Sequence, residues 1–184
     1  MHGTAAGRAR EGEGLTVRWK PDSAVCAECG YTWAQPIDEA VAVVADLPAG
    51  IDRAVDLGAP ASRRVPAPGT WSQGAYVWHL VDVMSIGTER LWTIADDPGA
   101  GLRCWDENAL AQVREYERQS PVVGLRALKA AVRRWVDAAR AADPDAAISH
   151  DGGGVMTTAD VIRRNAHEAV HHLLDISRQS APAG

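Results

Sequence analysis

The sequence contains no phenylalanine, only three cysteines, no surplus of basic residues and no long apolar run. Three cysteines cannot pair completely, which argues against the disulfide framework of a small secreted domain. A formal net charge of -5 leaves no basic face for phosphate, so nucleic acid is not expected as a partner. The apolar stretches stop far short of the roughly 20 residues that cross a bilayer, so no membrane contact is expected either. The opening MHGTAAGRAREGEG lacks the apolar core of a signal peptide, and a cytoplasmic protein is expected. No alternating apolar pattern of strand type runs for any length, and no internal repeat is present.

What is there reads as helix. A chain of 184 residues with 46% hydrophobic and 23% charged residues is long enough to bury one core of its own. Residues 1–35 read as an irregular N-terminal extension, its first dozen residues loosely held and its end carrying Cys26 and Cys29. Residues 36–184 then read as a bundle. Apolar residues at helical spacing run from Ile37 to about Leu57, where Pro48 predicts a kink or a restart. Ser72 is placed to cap a second helix that ends before Pro98 and Gly99. A third helical region spans about 107–142 with a break at Ser120-Pro121, and a fourth starts at Thr157 or Thr158 and reaches about Gln179. The loop between them, with His150 and Gly152 to Gly154, reads as a flexible connection or lid. Four long helices with mostly short connections predict an all-α four-helix bundle, a fold that builds metal sites between facing helices.

The densest chemistry lies in NAHEAVHHLLDI, where His167, Glu168, His171 and His172 fall within two helical turns and hold three of the six histidines. Residues four apart on a helix project about 40° from one another, so His167 with His171, and Glu168 with His172, each form a two-point ligand pair. Imidazole and carboxylate suit zinc, nickel, manganese or iron. A polar helix face rich in histidine is the alternative.

PGTWSQGAYVWHLVDV followed at a distance by HEAVHHLLDI resembles the DinB/YfiT-like superfamily of metal-binding four-helix bundles, over roughly residues 36–180. The resemblance implies a metal-ligating histidine on the second helix, matched by His79 with Asp82 three residues on, and a ligand pair spaced four apart on the last. HEAVHH is one residue longer than the form common in relatives and leaves two registers. Asp175-Ile176 stand where the family pattern puts a polar and an aliphatic residue after the last ligand, if that ligand is His172. The implied set is therefore His79, Glu168 and His172, similar to the His/Glu/His set of mycothiol-dependent maleylpyruvate isomerases. Asp82 and Asp175 would orient imidazoles from behind, or simply pair with arginines.

That register leaves His167 and His171 on another side of the helix, about 100° away. Cys26 and Cys29, in a CAECG turn, supply the complement of a Cys2His2 zinc set that only tertiary folding could close. The alternative is a reduced or redox-active CxxC. Two centres are thus expected: a closed structural zinc at Cys26, Cys29, His167 and His171, and an open site at His79, Glu168 and His172. Which residues beyond the ligands act in catalysis is not indicated.

Three protein ligands leave coordination positions for water or a thiolate, and a divalent metal, zinc by default, activates either. The resemblance favours transfer or cleavage of a low-molecular-weight thiol on a small molecule, with mycothiol as co-substrate. A YfiT-like metal-dependent hydrolase and a non-catalytic metal-binding or redox-sensing bundle are the alternatives. Many relatives are homodimers, and a dimer is compatible with this reading. Cys104 reads as a small buried hydrophobe, with a reactive thiol as the alternative. The seven tryptophans read first as core and rim packing, with Trp78 and Trp105 as the candidates to line a pocket.

Overall fold

The computed structural model describes residues 21–151 and 154–180. The expectation for the first dozen residues, and that for Gly152 and Gly153, lie outside these. The described residues form five α-helices: α1 (Ile37–Ala54), α2 (Gln73–Asp96), α3 (Glu107–Val113), α4 (Pro121–Ala141) and α5 (Thr158–Ser180).

Local chemistry sets the ends of the long helices. The Ser72 hydroxyl accepts from the Ala75 amide to start α2, and Ser120 precedes Pro121 at the first turn of α4. Before α5, Asp160 N–H donates to Thr157 Oγ1 at 3.2 Å while Thr157 N–H donates to Asp160 Oδ2 at 2.9 Å. This reciprocal pair satisfies amides that the helix itself cannot. Pro48 neither ends nor restarts α1, which runs through it with Pro48 buried on the core side.

The four long helices close a ring in which α2 packs against α4 and α5, and α1 against the same two. The core is built from aliphatic residues with Trp135, Met84 and Met156 fully buried. The Trp135 indole N–H donates to Asn165 Oδ1 at 2.8 Å. Gly87 lets α5 approach that closely, since a Cβ there would stand 2.3 Å from Asn165 Oδ1. On α5 the buried stripe is Ile162, Ala166, Ala169 and Ile176, and Leu174 stands outside it.

Two short strands were not foreseen: β1 (Ala147–Ser149) and β2 (Val155–Thr157) pair antiparallel just before α5. They insert Ile148 and Met156 into the core, so this connection is an anchored hairpin. Three-residue strands are too short to show alternation in sequence. The N-terminal segment is likewise docked. Tyr31 is buried, and Arg163 of α5 donates to the Gln35 carbonyl at 3.0 Å.

Candidate metal centres

Helix α2 brings His79 to the seam with α5, where it faces Glu168 and His172 one turn apart. The ligand atoms of the three lie within 4.8 Å of one another. Glu168 Oε2 stands 3.1 Å from His172 Nε2 and 3.8 Å from His79 Nε2. Tetrahedral bonds of ~2.0 Å separate ligand atoms by ~3.3 Å, so these spacings bracket what an ion needs. His79 is 1% exposed, and neither of its ring nitrogens has a hydrogen-bond partner. The 3.8 Å approach to Glu168 is too long for one. Trp71 at 5.0 Å and Trp105 at 5.8 Å between ring centres wall the imidazole, and the Tyr76 ring lies 5.2 Å from that of His172.

The surroundings polarise these groups. Burial alone would raise the Glu168 carboxyl, but His167, His172 and His79 around it hold it well below the usual carboxylate range. Burial would lower His172, yet its hydrogen bonds with Asp175 and Glu168 lift it to about 9. Asp175 Oδ2 stands 3.0 Å from His172 Nδ1, behind the nitrogen that faces Glu168, as a carboxylate that orients a ligating imidazole does. Asp82 differs. Its buried carboxylate accepts from Arg114 and the Tyr116 hydroxyl, so it holds no His79 nitrogen. The partners come from the segment after α3, a contact invisible in the local sequence.

On the other side of α5, Cys26, Cys29, His167 and His171 also place their ligand atoms within 4.8 Å of one another. Cys26 Sγ is 3.8 Å from His171 Nδ1, near the ~3.5 Å that tetrahedral Zn–S and Zn–N bonds impose. The turn is the tight one the motif suggests: Gly30 N–H donates to the Cys26 carbonyl at 2.9 Å, with Gly30 at φ +75°. Hydrogen bonds from the Cys29 amide, then His167, the Glu28 amide and His171, bring the Cys26 thiol down to about 6, whereas burial pushes Cys29 up. His167 Nε2 is buried with no hydrogen-bond partner. The two clusters adjoin: Glu168 Oε1 lies 3.9 Å from His167 Nδ1, and Asp175 Oδ2 3.9 Å from His171 Nε2.

Beside Glu168 a cavity of 110 Å³ opens between α2 and α5, lined among others by Arg90, Trp105, His150 and Arg164. Trp105 is thus placed as expected. Trp78 is not, because its indole donates to the Ser120 carbonyl at 3.2 Å, away from His79. Trp71, undistinguished in sequence, takes that position. Cys104 is exposed and not a core residue. Its Sγ lies 3.9 Å from His150 Nε2, and its amide donates to Asp151 at 2.6 Å.

The family model of the DinB superfamily matches residues 18–176, so the matched region takes in the cysteine turn as well as the bundle. A solved structure of YfiT from Bacillus subtilis, described as a probable metal-dependent hydrolase with an unusual four-helix bundle topology, is similar with a TM-score of 0.68 at 20% identity. That match spans 88% of this chain and 93% of the other, and at such identity it speaks for the fold. No curated protein matches. No helix among the described residues is long and apolar enough to cross a membrane.

Proposed function

The chain belongs to the DinB superfamily, and from that premise we propose that it is a metal-dependent hydrolase of small molecules, with a divalent cation held by His79, Glu168 and His172. The buried His79 carries the reading. An imidazole with two unpartnered nitrogens costs about 1–3 kcal/mol for each polar group left unsatisfied, and a cation facing Glu168 and His172 would take one lone pair. Bound there, a divalent ion supplies Lewis acidity, lowering the pKa of a water or thiol that it meets. The remaining work belongs to side chains. Asp175 fixes the orientation of the His172 ring, Glu168 contributes negative charge, and Trp71, Tyr76 and Trp105 pack their rings against the two imidazoles. Zinc suits the set first, and nickel, manganese or iron also accept it.

The 110 Å³ beside Glu168 suits a small acyl group and water better than a bulky thiol conjugate. Thiol transfer of the mycothiol type is the second reading, favoured by the carboxylate between two histidines, which resembles the mycothiol-dependent isomerases. The neighbouring Cys26, Cys29, His167 and His171 would hold a structural zinc that pins the N-terminal segment to α5. Metal-loaded protein should hydrolyse members of a panel of small amides and esters, with loss of activity in His79→Ala. Consumption of a low-molecular-weight thiol, with no hydrolysis, would favour the second reading. No turnover in either panel would sink both.

A further inference from the structure

We infer that His167 is a positioning residue for Glu168 and ties the two centres together, so that filling the cysteine cluster strengthens the binding of a divalent cation at His79, Glu168 and His172. The inference rests on the proposed metal sites and states how occupancy of one acts on the other.

A histidine offers two ring nitrogens, and a metal takes one of them while the other answers a second group. His171 turns Nδ1 to Cys26 Sγ at 3.8 Å and leaves Nε2 3.3 Å from Glu28 Oε2 and 3.9 Å from Asp175 Oδ2. His167 has Nδ1 3.9 Å from Glu168 Oε1, within ion-pair reach, while its buried Nε2 has no hydrogen-bond partner and is the nitrogen left for an ion. The outward nitrogen of each histidine thus faces a carboxylate that serves the open site. Glu168 is a ligand there, and Asp175 holds His172 Nδ1 at 3.0 Å. Helix geometry makes the sharing possible. His167 and Glu168 project about 100° apart, as do His171 and His172, so consecutive residues serve neighbouring sides of α5. Asp175, one turn on, reaches the second pair of histidines.

Two effects compete when the cysteine cluster fills. Repulsion between cations would weaken the open site, and positioning would strengthen it. A dication with two thiolates carries no net charge, so the repulsion is largely cancelled. With Nε2 on an ion, His167 carries its hydrogen on Nδ1, aimed at Glu168 Oε1. Glu168 then keeps Oε2 for the open site, where it already stands 3.1 Å from His172 Nε2 and 3.8 Å from His79 Nε2. The rings of Trp33 and Tyr31 lie 4.7 and 5.7 Å from that of His167. Both belong to the segment that carries the cysteines, so tying Cys26 and Cys29 to α5 also steadies the wall on which His167 rests. Positioning therefore outweighs repulsion.

The test is manganese titration, read from the electron paramagnetic resonance of the free ion, on metal-free wild type, on wild type carrying one equivalent of zinc, and on the metal-free Cys26→Ser/Cys29→Ser variant. Thiolates select zinc over manganese, and resistance of Cys26 to iodoacetamide reports that the zinc sits in the cluster. Zinc-loaded wild type should bind manganese ~10-fold more tightly than metal-free protein, the scale on which groups behind a ligand act, and the cysteine variant should match the metal-free protein. His167→Cys replaces one zinc ligand by another, giving a Cys3His set, and removes the nitrogen that faces Glu168. It should hold zinc yet gain no manganese affinity from it. If this variant takes up no zinc, the reverse measurement on wild type decides, because coupling is reciprocal: manganese should raise the zinc affinity of the cluster, read by chelator competition, by the same factor. Manganese affinity that zinc leaves unchanged or lowers, or full coupling in zinc-loaded His167→Cys, overturns the inference while the open site stands. Manganese that binds no form of the protein overturns the open site and the inference with it.

Discussion

Glu168 and His172 stand one turn apart on α5 with Oε2 and Nε2 3.1 Å from each other, and both point at the buried imidazole of His79. An anion and two imidazoles converge there because helix geometry aligns the first two and α2 delivers the third. Without a metal, a proton must hold the cluster together.

That proton gives a pH dependence. His172 is raised from its ordinary 6.5 to about 9 in the folded protein, and a raised histidine stabilises the fold when protonated. Its contribution is fully present below 6.5 and is lost as pH rises towards 9. In a metal-free Cys26→Ser variant, where the lowered Cys26 thiol no longer gains stability over the same range, Tm should therefore fall across that window. With metal at the histidines it should not, because the ion replaces the proton. A flat Tm for that metal-free variant between these values would contradict the arrangement.

The cysteines should react in an order opposite to their exposure. Cys26, with a pKa near 6, is largely thiolate at neutral pH, whereas the exposed Cys104 is held up chiefly by its hydrogen bond with Asp151. Iodoacetamide at neutral pH should label Cys26 of metal-free protein faster than Cys104, and added zinc should protect Cys26. Peptide mass mapping reads both, and preferential labelling of Cys104 would count against the turn geometry.

The two aspartates three residues beyond the proposed ligands should behave differently. Asp175→Ala removes the group behind His172 and should weaken metal affinity ~10- to 100-fold. Asp82→Ala strands the buried Tyr116 hydroxyl and should cost about 1–3 kcal/mol in urea denaturation, with metal content unchanged. Loss of metal in Asp82→Ala would show that it supports His79 after all.

The sequence exposes whatever is local. Caps at Ser72, Ser120 and Thr157 involve residues three apart, and the pairing of Glu168 with His172 follows from the helix itself. The four groups at Cys26, Cys29, His167 and His171 are legible because two short motifs complete one another. Contacts between distant segments are not. Asp82 finds Arg114 and Tyr116 only once the chain after α3 folds back, and the β1–β2 hairpin depends on pairing that its few residues do not announce. Trp78 turns away from the site because it stands one residue before His79, about 100° round the helix, and Trp71, from the chain just before α2, packs on His79 instead.

The central claim is that His79, Glu168 and His172 bind one ion and the cysteine cluster another. Elemental analysis of purified, metal-reloaded protein tests it most directly. Wild type should carry two equivalents per chain, and His79→Ala and the Cys26→Ser/Cys29→Ser double variant one each. Unchanged metal content in folded His79→Ala, or about one equivalent in both wild type and the cysteine variant, would contradict it.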